Sequence, residues 1–327
     1  TRPIAGRFLD RQGRRGVYFV GLAIFITCVF AYIWAPTVLL LLLIRFIHGF
    51  GWGSSSTASS TIATDIIPKP RLGEGMGYFG LTSTLAMAVA PALGLAIMSR
   101  LGFSQVFIIS AISVIIAFLI ATPIKFHKPT PGKEVPGKRS FFEKNAITPA
   151  TIIFFVTMTY GAIVSFIALY AADKGIENIG LFFTVYALSL LISRPYFGKL
   201  SDRKGYAAAV LPGIIAVLVT MFLLYFANSL SAFLVAGFIY GIGFGATQPV
   251  LQAMAVRNVP PERRGSSNAT FFVGFDLGIG VGSILWGIIA ELVGFQTIYL
   301  LAMIPAVIGL FVFLKASKKY NESRVLN

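Results

Sequence analysis

The 327 residues are 56% hydrophobic and 12% charged. A soluble domain carries about 25% charged residues, so this composition argues against a soluble enzyme or a disordered chain, and the single cysteine, Cys28, rules out an internal disulfide framework. The formal net charge of +15 takes its meaning from where the charges fall.

A membrane span needs about 20 mainly apolar residues. Ten such runs follow one another: 17–34, 37–64, 74–98, 104–124, 147–171, 178–198, 207–226, 230–255, 267–290 and 295–314. Breaks such as Ala35-Pro36, Pro68-Lys69-Pro70 and Pro260-Pro261 separate them. No segment resembles a cleavable signal peptide, and the chain starts at Thr1. Alternate loops hold 24 of the 27 Lys and Arg: 1–16, 65–73, 125–146, 199–206 with the adjacent Arg194, 256–266 and the tail after 314. The exceptions are Arg45, Arg100 and Lys174. This asymmetry places the basic loops in the cytoplasm. Spread over one membrane face, the charge is expected to meet lipid headgroups and not nucleic acid.

The chain also repeats itself. Arg2-Pro3-Ile4-Ala5-Gly6-Arg7-Phe8-Leu9-Asp10-Arg11-Gln12-Gly13 matches the segment from Arg194 to Gly205 at an offset of 192. Arg45–Gly53 matches Gly237–Gly245 at the same offset, as do Pro68, Arg71 and Gly73 with Pro260, Arg263 and Gly265, and Gly102-Phe103 with Gly294-Phe295. Both copies of the loop signature lie on the basic side, so the halves have parallel topology, a plan known for secondary transporters. The spans at 147–171 and 178–198 lack first-half counterparts, apart from residues 1–6. Roughly 45–50 residues carrying two further spans are therefore expected upstream, giving six plus six. The predicted division is an N-terminal half over 1–124, a basic linker over 125–146 and a C-terminal half over 147–327.

Gly6-Arg7-Phe8-Leu9-Asp10-Arg11-Gln12-Gly13-Arg14-Arg15 resembles the loop signature between spans two and three of the major facilitator superfamily, with a degenerate copy at 198–205. Arg45 to Gly53 resembles the fourth-span signature of proton-coupled members, with His48 where the family has Gln. The stretch through Gly77, Ala86, Ala90, Pro91 and Gly94 has the spacing of the fifth-span antiporter signature, although Ala86, Ala90 and Leu95 replace its glycines. The resemblance covers essentially the whole chain and is strongest to bacterial drug:proton antiporters. It implies an all-α membrane fold of two pseudo-symmetric six-helix halves, ten of whose spans are complete here. It also implies a gating latch at Gly6, Asp10, Arg11, Gly13 and Arg14, and at Gly198, Asp202 and Arg203.

The repeat sorts the remaining candidates. Shared charges suit structure or gating, whereas a charge unique to one half suits substrate or proton. Asp276 is unique, its counterpart being Thr84. It lies about ten residues, or roughly 15 Å, into its span, where a carboxylate is costly unless paired, hydrated or protonated. Arg45 and His48, three residues apart on one helix face, are the other proton-coupling candidates. Tyr160, Phe166, Tyr170, Tyr186, Tyr240, Gln248 and Gln252 are candidates to line a cavity, where aromatic faces suit lipophilic cations. Glycine runs such as Gly241-x-Gly243-x-Gly245 lack the strand–turn–helix context of a phosphate loop and suit helix packing. No motif supplies a nucleophile, metal or cofactor site.

The expected activity is export of a small amphipathic, drug-like compound in exchange for protons, by alternating access in a bacterial plasma or inner membrane. The expected partners are the substrate, protons and membrane lipids, and the chain is expected to be monomeric. The alternatives are a narrow-specificity sugar, metabolite or metallophore permease and, more remotely, a membrane-embedded receptor or enzyme.

Overall fold

A computed structural model describes residues 1–124, 126 and 140–325, except for the side chains of 91, 92, 95 and 318–325. Most of the predicted linker 125–146, and the side chain of Pro91, lie outside the described part. Among the described residues the regular secondary structure is all helical: α1 (Arg2–Gln12), α2 (Arg14–Ala31), α3 (Val38–Ile66), α4 (Leu72–Leu101), α5 (Phe103–Ala121), α6 (Lys144–Asp173), α7 (Gly180–Lys204), α8 (Ala207–Phe226), α9 (Leu230–Val256), α10 (Arg264–Leu301) and α11 (Met303–Val325). Eight segments of the described residues are long and apolar enough to cross a membrane. The last of them, Pro261–Ser317, has 57 residues and contains a break at Gly294. The predicted runs 267–290 and 295–314 fall on either side of that break.

The repeat is visible in the backbone. Gly13 and Gly205 have φ of 93° and 90°, and Gly102 and Gly294 have φ of 93° and 80°. Each pair is separated by 192 residues. Only glycine adopts these conformations without strain, so the same residue stops the same helix twice. Short 3₁₀ turns at Lys69–Arg71 and Pro261–Arg263 repeat at that offset too.

The helices form two compact units. One comprises Thr1–Ile66, Val89–Glu143 and Val259–Thr270, with α2 packed on α1, α3 and α5. The other comprises Ile67–Ala88, Lys144–Asn258 and Phe271–Asn327, with α9 packed on α6, α7 and α8. The units differ from the sequence halves at repeat-equivalent places. The segment starting at Ile67 belongs with the C-terminal helices, and the segment starting at Val259 with the N-terminal ones.

Helix packing accounts for the glycine runs. A Cβ at Gly237, Gly241 or Gly245 would strike α7 at Phe182, Ser189 or Ser193, whereas one at Gly243 would strike α8 at Gly213 and Val217. Glycines every fourth residue line one helix face and let backbones approach closely.

Candidate functional site

Asp10, near the end of α1, reaches the start of α10. Its Oδ1 accepts the backbone N–H of Gly265 at 2.8 Å, and its Oδ2 accepts the N–H and Oγ–H of Ser266 at 2.9 and 2.6 Å. Gly265 and Ser266 are in the first turn of α10, where N–H groups lack partners within the helix and the dipole favours a negative charge. The carboxylate thus caps a helix about 255 residues away in sequence. Gly6 makes the approach possible: a Cβ there would lie 2.6 Å from Ala269 Cβ and 2.7 Å from the Gly265 carbonyl. Burial pushes the Asp10 carboxyl up to about 6, against the opposing pull of the Ser266 and Gly265 hydrogen bonds and the Arg14 charge.

The second copy repeats this in the other compact unit. Asp202 accepts the N–H groups of Gly73 at 3.0 Å and Glu74 at 2.8 Å, in the first turn of α4. Gly198 stands where Gly6 stands, and a Cβ there would strike the Gly73 carbonyl and lie 3.0 Å from Glu74 Cα. Acid, glycine and receiving helix all shift by 192 residues. Arg11 and Arg203 are exposed. Glu74 pairs with Arg71 at 3.6 Å.

Around this scaffold the copies diverge. Arg14 donates to Asp65 at 2.9 Å, to the Leu9 carbonyl at 2.9 Å and to the Pro261 carbonyl. Arg264 donates to the same Asp65 at 3.2 Å and to the Thr64 carbonyl at 2.9 Å. The Arg14 and Asp65 side chains are 2% and 8% exposed. In the second copy, Tyr206 and Arg257 occupy the places of Arg14 and Asp65. Arg257 there lies 4.0 Å from Asp202 and over the Tyr206 ring. In the sequence Asp65 and Arg264 look like ordinary span-end charges, and no local pattern marks their pairing. Asp65→Ala is expected to lower stability by about 3–5 kcal/mol, because it strands two largely buried guanidinium groups. Thermal unfolding of the detergent-purified protein checks this, and a negligible shift would contradict the network.

The proton-coupling candidates belong to different compact units, Arg45 and His48 to one and Asp276 to the other. Asp276 is exposed on α10, and Arg45 is exposed on α3. His48 Nδ1 lies 2.9 Å from the Tyr32 hydroxyl, its ring meets Phe25 edge-on, and its buried Nε2 has no hydrogen-bond partner among the described residues. Of the fifth-span signature, Gly77 packs tightly, since a Cβ there would lie 2.5 Å from the Arg194 carbonyl. Ala86 and Ala90 are exposed, and nothing lies within 4 Å of a Cβ at Gly94.

Of the cavity candidates, Tyr160, Tyr186 and Tyr240 come together with Phe244. The Tyr160 and Tyr240 rings are nearly parallel at 6.4 Å, and Tyr186 is 5.6 Å from Tyr240. Tyr240 also hydrogen-bonds Thr159 at 3.0 Å. Gln248 donates to Gln252 at 3.3 Å. Tyr170 stands apart, its hydroxyl held by the Leu224 and Ala227 carbonyls and its ring against Phe233 and Tyr299.

One further residue joins the aromatic group. Arg194, which its sequence position assigns to the basic loop, is 6% exposed within α7. It donates to the Gly80 carbonyl and, at 3.1 Å, to Gln248 Oε1. The available signal was its spacing. Eight residues before Asp202, it stands about 12 Å further up the helix.

A family model described as Major Facilitator Superfamily matches residues 1–178 and 150–325, together covering nearly the whole chain. The chain is 25% identical over 317 residues to the uncharacterized MFS-type transporter MJ1560 of Methanocaldococcus jannaschii, covering 93% of this chain and 80% of that protein. It is 25% identical over 310 residues to a multi-drug resistance efflux pump PmrA homolog of Lactococcus lactis, covering 90% and 76% respectively. Among solved structures, the human organic anion transporter MFSD10 superposes with a TM-score of 0.82 at 16% identity, over 95% of this chain and 79% of that one.

Proposed function

The chain belongs to the major facilitator superfamily, and from that premise we propose that it exports a small amphipathic compound in exchange for protons, by alternating access. The observation that carries this reading is the duplicated docking of Asp10 on α10 and Asp202 on α4. Each contact ties a helix end of one sequence half to the loop of the other, on the side that carries the basic residues. A latch of this kind must form and break once per cycle if that side is to close and open. The basic character of these loops supports a cytoplasmic position for it. The name of the efflux pump homolog supports the outward direction.

Protons enter through groups that bind them differently in the two states, since only differential affinity moves the equilibrium. Asp276 is the coupling candidate, with Arg45 and His48 on α3 as the alternative location. Everted membrane vesicles holding an inward-acid proton gradient test the reading. Adding an exported compound is expected to release protons, followed with a pH-sensitive dye. Asp276→Asn is expected to abolish that release while leaving the purified protein folded. Release that survives the substitution moves the coupling site away from Asp276. No release with any of a panel of amphipathic compounds, in correctly oriented vesicles, contradicts proton-coupled export.

A further inference from the structure

A cation buried inside a span is expensive and is normally paired. Arg194 is not. Among the described residues no carboxylate lies within ion-pair distance of it, and its buried Nε has no hydrogen-bond partner. Its Nη1 is taken by the Gly80 carbonyl and its Nη2 by the neutral amide of Gln248. The Nε and Nη2 edge of the guanidinium, the edge that fits two carboxylate oxygens, therefore holds only an exchangeable neutral acceptor. The chain makes room for the group: a Cβ at Gly80 would collide with it. A helix brace alone would need the Gly80 bond and not an unmatched charge.

The surroundings are rich in donors. Arg194 is within electrostatic reach of Tyr160 and Tyr186, and neither hydroxyl has a hydrogen-bond partner among the described residues. Tyr160 and Gln248 are only half-buried, so the group can be reached from their side. The stacked rings of Tyr160, Tyr240 and Phe244 offer an apolar surface beside it. The same rings would suit a lipophilic cation. However, a guanidinium at close quarters in a low-dielectric site repels a second cation more strongly than a ring face attracts it.

We propose that Arg194, Tyr160, Tyr186 and Gln248 form a binding site for the carboxylate of an amphipathic substrate, whose apolar body lies on the Tyr160, Tyr240 and Phe244 rings. The inference rests on the transporter reading and names its substrate class. The carboxylate replaces the Gln248 carbonyl on the Nε and Nη2 edge and accepts from a tyrosine hydroxyl.

The test uses the full chain in lipid nanodiscs at neutral pH, with three probes of one shape: 2-naphthoate, 2-naphthamide and 2-naphthylmethylammonium. Calorimetric titration is expected to show naphthoate binding at least tenfold more tightly than either of the others. Arg194→Gln is expected to remove that preference, weakening naphthoate far more than naphthamide, and Arg194→Lys to keep part of it. Tyr160→Phe, which preserves the ring, is expected to weaken naphthoate severalfold and naphthamide distinctly less; it carries the test if Arg194→Gln does not fold. Equal affinity for acid and amide overturns the proposal. So does tighter binding of the ammonium, a preference untouched by the folded variants, or no binding of any probe to the folded wild type. Proton release in vesicles is read separately. Arg194-dependent naphthoate binding without any proton movement overturns proton-coupled export and leaves the site standing, and proton movement without acid preference does the reverse.

Discussion

Asp10→Ala is expected to free the first turn of α10, raising amide exchange at Gly265 and Ser266 by about 10- to 100-fold. Each hydrogen bond to a charged acceptor contributes about 1.5–3 kcal/mol. Alanine removes three at once and leaves two helix N–H groups uncapped. Asn keeps one acceptor oxygen, so Asp10→Asn is expected to stay within severalfold of the parent. The two variants also separate on pH. Burial raises the docked carboxyl to about 6, whereas a solvated aspartate titrates near 3.9. The docked state therefore binds a proton that the undocked state releases, and lowering pH from 7 towards 4 favours docking. The gain is of order 1–3 kcal/mol, reached progressively as pH falls through 6. Hydrogen exchange of the 262–270 segment, corrected for the intrinsic pH dependence of exchange, should show rising protection in acid for the parent and a flat profile for Asp10→Asn. A parent profile equally flat would mean that Asp10 is not the titrating group. If docking is the cytoplasmic latch, acid on that side holds it shut.

The repeat made much of this arrangement legible, but not its pairing. An offset of 192 predicts that whatever Asp10 does, Asp202 does again. It does not predict that each acid meets a helix end from the other half, because the repeat relates equivalent positions and contains no information about contacts between them. The spans are legible as long apolar runs, which fall within three residues of the ends of α2 and α3 and coincide with α8. Arg194 and Asp65 were harder to read. A charge near a span end is usually a solvated anchor, and Arg194 is held between Gly80 of α4 and Gln248 of α9. Asp65 acquires its role from Arg264, 199 residues away, a proximity that no local pattern records. Asp276 shows the opposite limit. Its position along a span is legible, but its face is not, because the stretch 271–290 carries only Asp276 and Ser283 as charged or hydroxyl side chains.

Gly198→Ala is expected to disrupt the docking of Asp202 on α4 more severely than loss of the Asp202 carboxylate itself, through sterics alone. A Cβ at 198 meets backbone atoms, the Gly73 carbonyl and Glu74 Cα, and backbone cannot swing aside as a side chain can. Relief requires α4 to move away from α7, which pulls the Gly73 and Glu74 amides off Asp202 and widens the contact at Gly77. Overpacking of this kind costs about 1–3 kcal/mol, and lost capping adds to it, so the docked population should fall by at least tenfold. The readout is exchange at residues 72–77 together with transport rate, both against Gly180→Ala. Nothing lies within 4 Å of a Cβ at Gly180, and that control should be silent. Gly6→Ala is the equivalent change in the first copy, where the obstacles are Ala269 Cβ and the Gly265 carbonyl. If the copies are two independent clasps, each single variant loosens only its own helix end, and the double variant shows the sum. If they open as one device, either substitution raises exchange at both 72–77 and 262–270, and the double variant adds little more.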